Sequence, residues 1–225
     1  MRLVLFDLDH TLLPIDSDHA WGVFTTELGW TDGAEFRHRN DAFYAQYKDG
    51  ELDILEYLAF ATQAIRRQGM RRAEAARAQF MRRVIEPAIR DEALALLDKH
   101  RRAGDQLVIV TATNDFLTRP IADRLGVSDL IAAELERDAN GELTGLALGV
   151  PSYREGKVVR VEQWLGSRGL RWADLESSMF YSDSLNDLAL LERVRQPVAT
   201  NADARLRDLA RQRGWRILDL FPIPC

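Results

Sequence analysis

Three short apolar runs constrain this chain more than any other feature: Leu3-Val4-Leu5-Phe6, Val108-Ile109-Val110 and the stretch Ser178–Ser182. Each ends in acids, hydroxyls or amides, and the second and third open onto helical periodicity. Runs too short for a helix, and apolar throughout rather than alternating, fit strands buried on both faces with polar C-terminal tips. Beyond Pro87 the pattern predicts a helix over Leu94–His100, a strand over Gln106–Thr111, a helix over Phe116–Leu125 and a hairpin within Leu130–Val150. A helix over Gly156–Gly166, the strand Ser178–Ser182, a helix over Asn186–Glu192, a strand over Gln196–Thr200 and a helix over Asp203–Arg213 follow. Strands alternating with helices imply crossover units, hence an α/β fold with a Rossmann-like, mainly parallel sheet.

One region breaks the alternation. From Asp16 to about Glu86 there is no strand pattern, and apolar residues recur at helical spacing, as in Trp21, Phe24 and Leu28 or Ile54, Leu58, Ala61 and Ile65. The expected organisation is a core domain of residues 1–14 and 87–225 with a helical cap of residues 15–86 inserted. A chain of 225 residues is long enough for both. No internal repeat, low-complexity tract or Gly/Ser linker interrupts it.

Composition excludes several classes. No run of apolar residues is long enough to cross a bilayer, so no membrane association is expected. Two aspartates within Met1–Leu13 argue against a secretory signal. The only cysteine, Cys225, allows no intrachain disulfide and no cysteine metal cluster, which fits a reducing cytoplasm. A net charge of −5 argues against a nucleic-acid partner, and Arg66-Arg67 and Arg71-Arg72 are expected to be solvated helix faces.

The strand tips carry the chemistry. Asp7 and Asp9 stand two residues apart where the first run ends, and two crowded carboxylates repel unless a cation intervenes or one keeps its proton. The bland alternative is a polar turn with Asp9 as a cap. Thr111-Ala112-Thr113-Asn114 places a hydroxyl and exposed amides at a helix start, which suits a phosphate but also suits an ordinary N-cap. Asp183 and Asp187 flank Asn186 after the third run, and magnesium prefers one or two carboxylates plus water and phosphate oxygens. Lys157 near a helix start could hold a phosphoryl oxygen, although most lysines are solvated. The order of acid pair, hydroxyl, lysine and acid pair is far more specific than any member.

That order resembles the haloacid dehalogenase (HAD) superfamily, in the branch containing phosphoserine phosphatase and the HAD-type histidinol-phosphate phosphatases. The likeness runs from Arg2 to about Trp215, with Asp-x-Asp-x-Thr-Leu at Asp7–Leu12 and Ser-Asp-Ser-Leu-Asn-Asp at Ser182–Asp187 as its diagnostic motifs. The resemblance implies a phosphomonoesterase with Asp7 as nucleophile and Asp9 as general acid/base. It implies phosphate contacts from Thr111, Ala112, Lys157 and Asn186. It also implies Mg²⁺ held by Asp7, the backbone carbonyl of Asp9 and Asp183, with Asp187 in support. A cap that shields the site points to a small-molecule phosphomonoester substrate, the chain being a monomer or homodimer.

The chain also departs from that pattern. Ala112 and Ser184 stand where phosphoserine phosphatases usually carry glycine, which argues against phosphoserine. His10, at a position the family varies, is expected to be a loop or gating residue because Asp9 already supplies acid/base chemistry. By its offset from Asp7, Asp16 matches an acid that contacts the substrate amine. A plain alternative has Ser17 or Asp18 capping the first cap helix and Trp21 packing in its interior. The Asp-Ser-Asp-x-x-Trp segment from Asp16 to Trp21 favours histidinol phosphate, while phosphoserine would ask Arg37 or Arg39 to hold its carboxylate. A phosphotransferase or phosphomutase using the same intermediate is the rival of another class.

Overall fold

The computed structural model describes residues 1–221; Pro222 and Pro224, two prolines from which the sequence predicts an irregular end, and Cys225 lie outside the described residues. The chain runs β1 (Arg2–Phe6), α1 (Ser17–Glu27), α2 (Gly33–Asp49), α3 (Ile54–Ala61), α4 (Gln63–Gln68), α5 (Met70–Phe80), α6 (Glu86–Ala88) and α7 (Asp91–Arg102). It continues through β2 (Gln106–Asn114), α8 (Asp115–Arg124), β3 (Asp129–Ala133), β4 (Leu135–Arg137), β5 (Leu143–Ala147), α9 (Glu155–Gly166) and β6 (Ser177–Ser182). The last elements are α10 (Leu188–Arg193), β7 (Gln196–Thr200), α11 (Ala204–Arg213) and β8 (Arg216–Leu218).

Six strands form one parallel sheet in the order β3-β2-β1-β6-β7-β8, and β4 and β5 form a separate antiparallel ribbon. The fold is thus the α/β Rossmann-like one expected. In β1, Val4 and Phe6 enter the apolar cluster on one face while Leu3 and Leu5 enter that on the other. In β2, Leu107 and Ile109 share the first face, Val108 and Val110 the second. Period-two side chains with both faces covered explain why these strands read as continuous apolar runs.

Two details differ from the sequence expectation. The segment expected as a hairpin divides, with β3 joining the edge of the main sheet and β4–β5 alone forming the hairpin. The edge strand β8 was not anticipated, because Arg216-Ile217-Leu218 is too short to show a period.

Between β1 and β2 every regular element is a helix. Its helices pack in two ways. Trp21 and Phe24 of α1 and Ala73, Ala76 and Phe80 of α5 belong to the cluster that covers the sheet. Phe36, Phe43, Leu52 and Phe60 instead form a small cluster of their own, joined from outside this helical segment by Tyr153, with Ala112 of β2 packed against it. A π-helical turn at Met81–Ile85 follows α5 and ends two residues before Pro87. Proline offers no N–H to the preceding turn, and a widened turn accommodates that loss.

Candidate active site

Since β1 lies between β2 and β6, its tip is flanked by theirs: Phe6 pairs with Ile109 on one side and Tyr181 on the other. In such sheets the crevice at the carboxyl ends, where strand order reverses, is the place for a ligand. The Asp7 amide continues the ladder to the Tyr181 carbonyl at 2.9 Å, and then the chain curls. The Leu8 carbonyl accepts from the amides of Thr11, Leu12 and Leu13, and His10 takes a left-handed conformation with φ of 56°. Leu8, Leu12 and Leu13 are fully buried beneath the turn, and Asn201 Nδ2 donates to the carbonyls of His10 and Thr11. This turn sets Asp7 and Asp9 on either side of the crevice.

Asp7 is buried and bound by Lys157, whose Nζ donates to Asp7 Oδ1 at 2.7 Å and to Asp187 Oδ2 at 2.8 Å. Ser182 Oγ donates to the same Asp187 oxygen at 2.7 Å. Lys157 sits at the start of α9, where Gly156 lets the chain pass so close to the Pro151 carbonyl that a Cβ would meet its oxygen at 2.1 Å. Burial opposes the lysine's charge, yet Asp187 and Asp7 outweigh it and hold the ammonium firmly protonated. Burial, with the repulsion of Asp187 and Asp9, pushes the Asp7 carboxyl up to about 7 even though Lys157 pulls against it.

Asp9 is held differently. The Ser17 amide donates to its Oδ1 at 2.8 Å and the Thr113 hydroxyl to its Oδ2 at 2.7 Å. Burial and the neighbouring Asp16 raise it to about 6, against those hydrogen bonds. A carboxyl fixed in place and poised near neutrality suits proton transfer. Asp183 comes to the other side of Asp7, the Thr11 hydroxyl standing 3.4 Å from Asp7 Oδ2 and 3.3 Å from Asp183 Oδ1. Burial, then Asp7 and Asp187, raise Asp183 well above the usual carboxylate range.

Of the residues expected at the site, Asp7, Asp9, Thr111, Lys157, Asp183 and Asp187 converge. Thr111 is buried, its hydroxyl accepting from the Thr113 amide, and Ala112 lines the cleft beside it. Asp16 also lines the cleft, but it is itself the N-cap of α1, its Oδ1 accepting from the His19 amide at 2.8 Å; neither Ser17 nor Asp18 caps the helix. Trp21 does pack inside. Asn186 is near, although its amide donates to the Tyr47 carbonyl at 2.7 Å, so it bridges to the end of α2 rather than facing a phosphate. Arg39 is the residue the structure does not bring in. It is exposed, with its guanidinium over the rings of Phe60 and Phe43, and it does not line the cleft. His10 Nε2 pairs with the Tyr44 hydroxyl at 3.0 Å, a contact between the turn and α2. Reasoning from sequence missed the roles of Thr11, Ser17, Thr113 and Ser182, whose only signal was a place within or beside a motif.

The cleft is lined by Asp7, Asp9, Asp16 and Asp18, by the aromatic rings of Phe43, Tyr44, Tyr47 and Tyr57 and by His19, with Lys157 behind Asp7. His19 Nε2 lies 2.8 Å from Asp41.

The arrangement matches a known family. Residues 4–192 fit the model of the haloacid dehalogenase-like hydrolases. The chain belongs to this family. It is 38% identical to the histidinol-phosphatase of Neisseria meningitidis serogroup C over 97% of this chain and 98% of that one. A crystal structure from Bordetella pertussis Tohama I, of a protein described as of unknown function, superposes with a TM-score of 0.92 at 46% identity, over 98% of this chain and 99% of that one. A phospho-aspartyl intermediate analogue of phosphoserine phosphatase superposes with a TM-score of 0.68 at 17% identity over 97% and 93%, a likeness of fold. This haloacid dehalogenase-like chain is a phosphatase of the phosphoric monoester hydrolase class. No helix among the described residues is long and apolar enough to cross a membrane.

Phosphatases of the family generally use a divalent metal ion. No three His, Cys, Asp or Glu side chains gather around one point among the described residues. The available donors are two carboxylates, Asp7 and Asp183, either side of the Thr11 hydroxyl, with the Asp9 side chain already engaged elsewhere. Two crowded oxygen donors without nitrogen or sulfur fit a hard cation that completes its shell with water and phosphate oxygens.

Proposed function

We propose that the chain is a magnesium-dependent phosphomonoesterase that hydrolyses a small phosphorylated metabolite, histidinol phosphate, through an aspartyl-phosphate on Asp7. A carboxylate oxygen of Asp7 forms a bond to phosphorus as the bond to the leaving alcohol oxygen breaks, and Asp9 gives its proton to that oxygen. Asp9 then takes a proton from water as the water oxygen attacks phosphorus, freeing inorganic phosphate and the Asp7 carboxylate. The observation that carries this is the double tether of Asp9 by Ser17 and Thr113 opposite an Asp7 paired with Lys157. Lys157 and the Thr111 hydroxyl stabilise charge spreading over the phosphoryl oxygens. Mg²⁺, held by Asp7, Asp183 and the Asp9 carbonyl, would supply positive charge between the nucleophile and a dianionic phosphate.

The acidic cleft supports the choice of substrate. An alcohol bearing an ammonium suits Asp16, whereas the carboxylate of phosphoserine would meet Asp16 and Asp18 with no arginine or lysine besides the Lys157 that serves the phosphoryl group. We place the core in residues 1–14 and 87–225 and the cap in 15–86, in a cytoplasmic monomer or homodimer.

Phosphate release from a panel including L-histidinol phosphate and L-phosphoserine, with Mg²⁺ or with EDTA, tests the proposal. Release should require Mg²⁺ and be fastest with L-histidinol phosphate. Asp7→Asn should lower it by about ten-thousandfold or more. Full activity in Asp7→Asn would remove the nucleophile assignment.

A further inference from the structure

The wall of the cleft formed by α1 holds one acid more than the proposed chemistry uses. Asp18 lies in the first turn of α1, lines the cleft and is only 5% exposed. Its Oδ1 accepts a long hydrogen bond of 3.3 Å from Asn114 Nδ2. Its Oδ2 is buried with no hydrogen-bond partner. The Tyr57 hydroxyl leans toward the carboxyl and favours its ionised form but makes no hydrogen bond of ordinary geometry to Oδ2, and no arginine or lysine lines this part of the cleft.

A buried carboxylate oxygen with no donor is costly, and natural cores rarely leave one so. An aspartate needed only to complement the positive end of α1 could face water and do so at no such cost. Two remedies exist: the group keeps a proton, or a ligand supplies the missing donor. Burial, with Asp16 and Asp9 nearby, raises its carboxyl to about 8, in keeping with the first remedy.

The second remedy is chemically specific. Asp16 stands two residues earlier on the same helical turn, with one oxygen committed to the His19 amide. Phe43, Tyr44 and Tyr57 line the same cleft and offer apolar faces to a flat ring. We infer that Asp18 is a specificity-determining residue whose free Oδ2 accepts a hydrogen bond from a second nitrogen of the substrate's alcohol. The class of substrate is then a phosphomonoester whose alcohol carries two nitrogen donors, one of them on a ring, and no carboxylate. This rests on the proposed function for the phosphate half of the molecule; the binding of the alcohol half stands apart from it.

Two measurements on the whole protein, each with wild type and Asp18→Asn, separate these. The first is kcat/KM with Mg²⁺ for L-histidinol phosphate and for O-phosphoethanolamine, which has the ammonium but no ring nitrogen. The ratio of the two should fall by about tenfold to a hundredfold in Asp18→Asn, as expected when a charged hydrogen-bond acceptor is neutralised, while Asp16→Asn should depress both substrates together. The second is calorimetric titration with L-histidinol and with ethanolamine, which needs no turnover. L-Histidinol should bind wild type more tightly than ethanolamine, and Asp18→Asn should lose most of that margin. Circular dichroism of the nearly isosteric variant checks that it is folded, and Asp18→Glu, if it keeps part of the margin, supports the acceptor role. An unchanged ratio and margin in Asp18→Asn overturn the inference even if the protein proves a good histidinol-phosphate phosphatase. Absence of phosphate release combined with Asp18-dependent L-histidinol binding would leave the inference standing and overturn the proposed function.

Discussion

The two walls of the cleft are built on opposite terms. On the phosphate wall, Lys157 stands within 2.8 Å of oxygens of both Asp7 and Asp187, and Ser182 braces Asp187. On the alcohol wall, Asp18 Oδ2 is buried without a partner. The first wall has its ion pairs formed before any ligand arrives, Lys157 reaching both oxygens of Asp187; the second has an acceptor waiting. A wall that must place charge around a reacting phosphorus gains from being organised in advance. A wall that selects an alcohol can let that alcohol supply the missing donors, so the wrong alcohol leaves them unmet.

Breaking the phosphate wall should have the largest effect. Lys157→Met strands two buried carboxylates, and losing one partner of a buried ion pair costs about 3–5 kcal/mol. Urea unfolding should show that loss, and phosphate release should fall by about a thousandfold or more. A variant as stable and active as wild type would mean that the pairing of Lys157 with Asp7 and Asp187 is incidental. Thr113→Val is milder, since Asp9 keeps the Ser17 amide but loses the hydroxyl at 2.7 Å. A hydrogen bond to a charged group is worth about 1.5–3 kcal/mol, so kcat should drop by about tenfold to a hundredfold with KM nearly unchanged. A rise in KM alone would place Thr113 in substrate binding instead.

The alcohol wall predicts a signature in stability rather than in rate. Asp18 is raised to about 8 when folded, while an unfolded aspartate titrates near 3.9. Its contribution is therefore fully present below about pH 4 and is lost progressively as pH rises toward about 8, the unfolded state releasing its proton first. In the absence of ligand, the melting temperature of wild type should fall more steeply between about pH 5 and 8 than that of Asp18→Asn. Identical slopes would show that Asp18 is not protonated in the folded protein.

The same contrast explains what could be found from sequence. The phosphate wall rests on strand tips, and a strand tip announces itself: an apolar run stops and an acid follows, as at Phe6-Asp7 and Ser182-Asp183. The parallel sheet was legible for the same reason, its inner strands being buried on both faces. Asp18 gave no such sign, because an acid in the first turn of a helix is what any exposed helix start carries. Thr113 and Ser17 were equally silent, since their partnership with Asp9 depends on where α1 and β2 meet in space. The division of the 130–150 segment was lost because β3 pairs in parallel with a strand whose identity no local pattern states.

The smallest effect separates the two substrates considered for the alcohol wall. Arg39 was one of two cap arginines the sequence offered to hold a carboxylate, yet it lies exposed over Phe60 at 4.8 Å from the ring centroid. A guanidinium there contributes about 0.5–1 kcal/mol to the packing of α2 and α3, and nothing to the cleft. Arg39→Ala should leave kcat/KM for L-histidinol phosphate and L-phosphoserine within about twofold of wild type, with a melting temperature lower by a few degrees at most. A selective collapse of L-phosphoserine hydrolysis would instead mean that the helices of this wall rearrange around a carboxylate. The acidic lining would then describe only the ligand-free cleft.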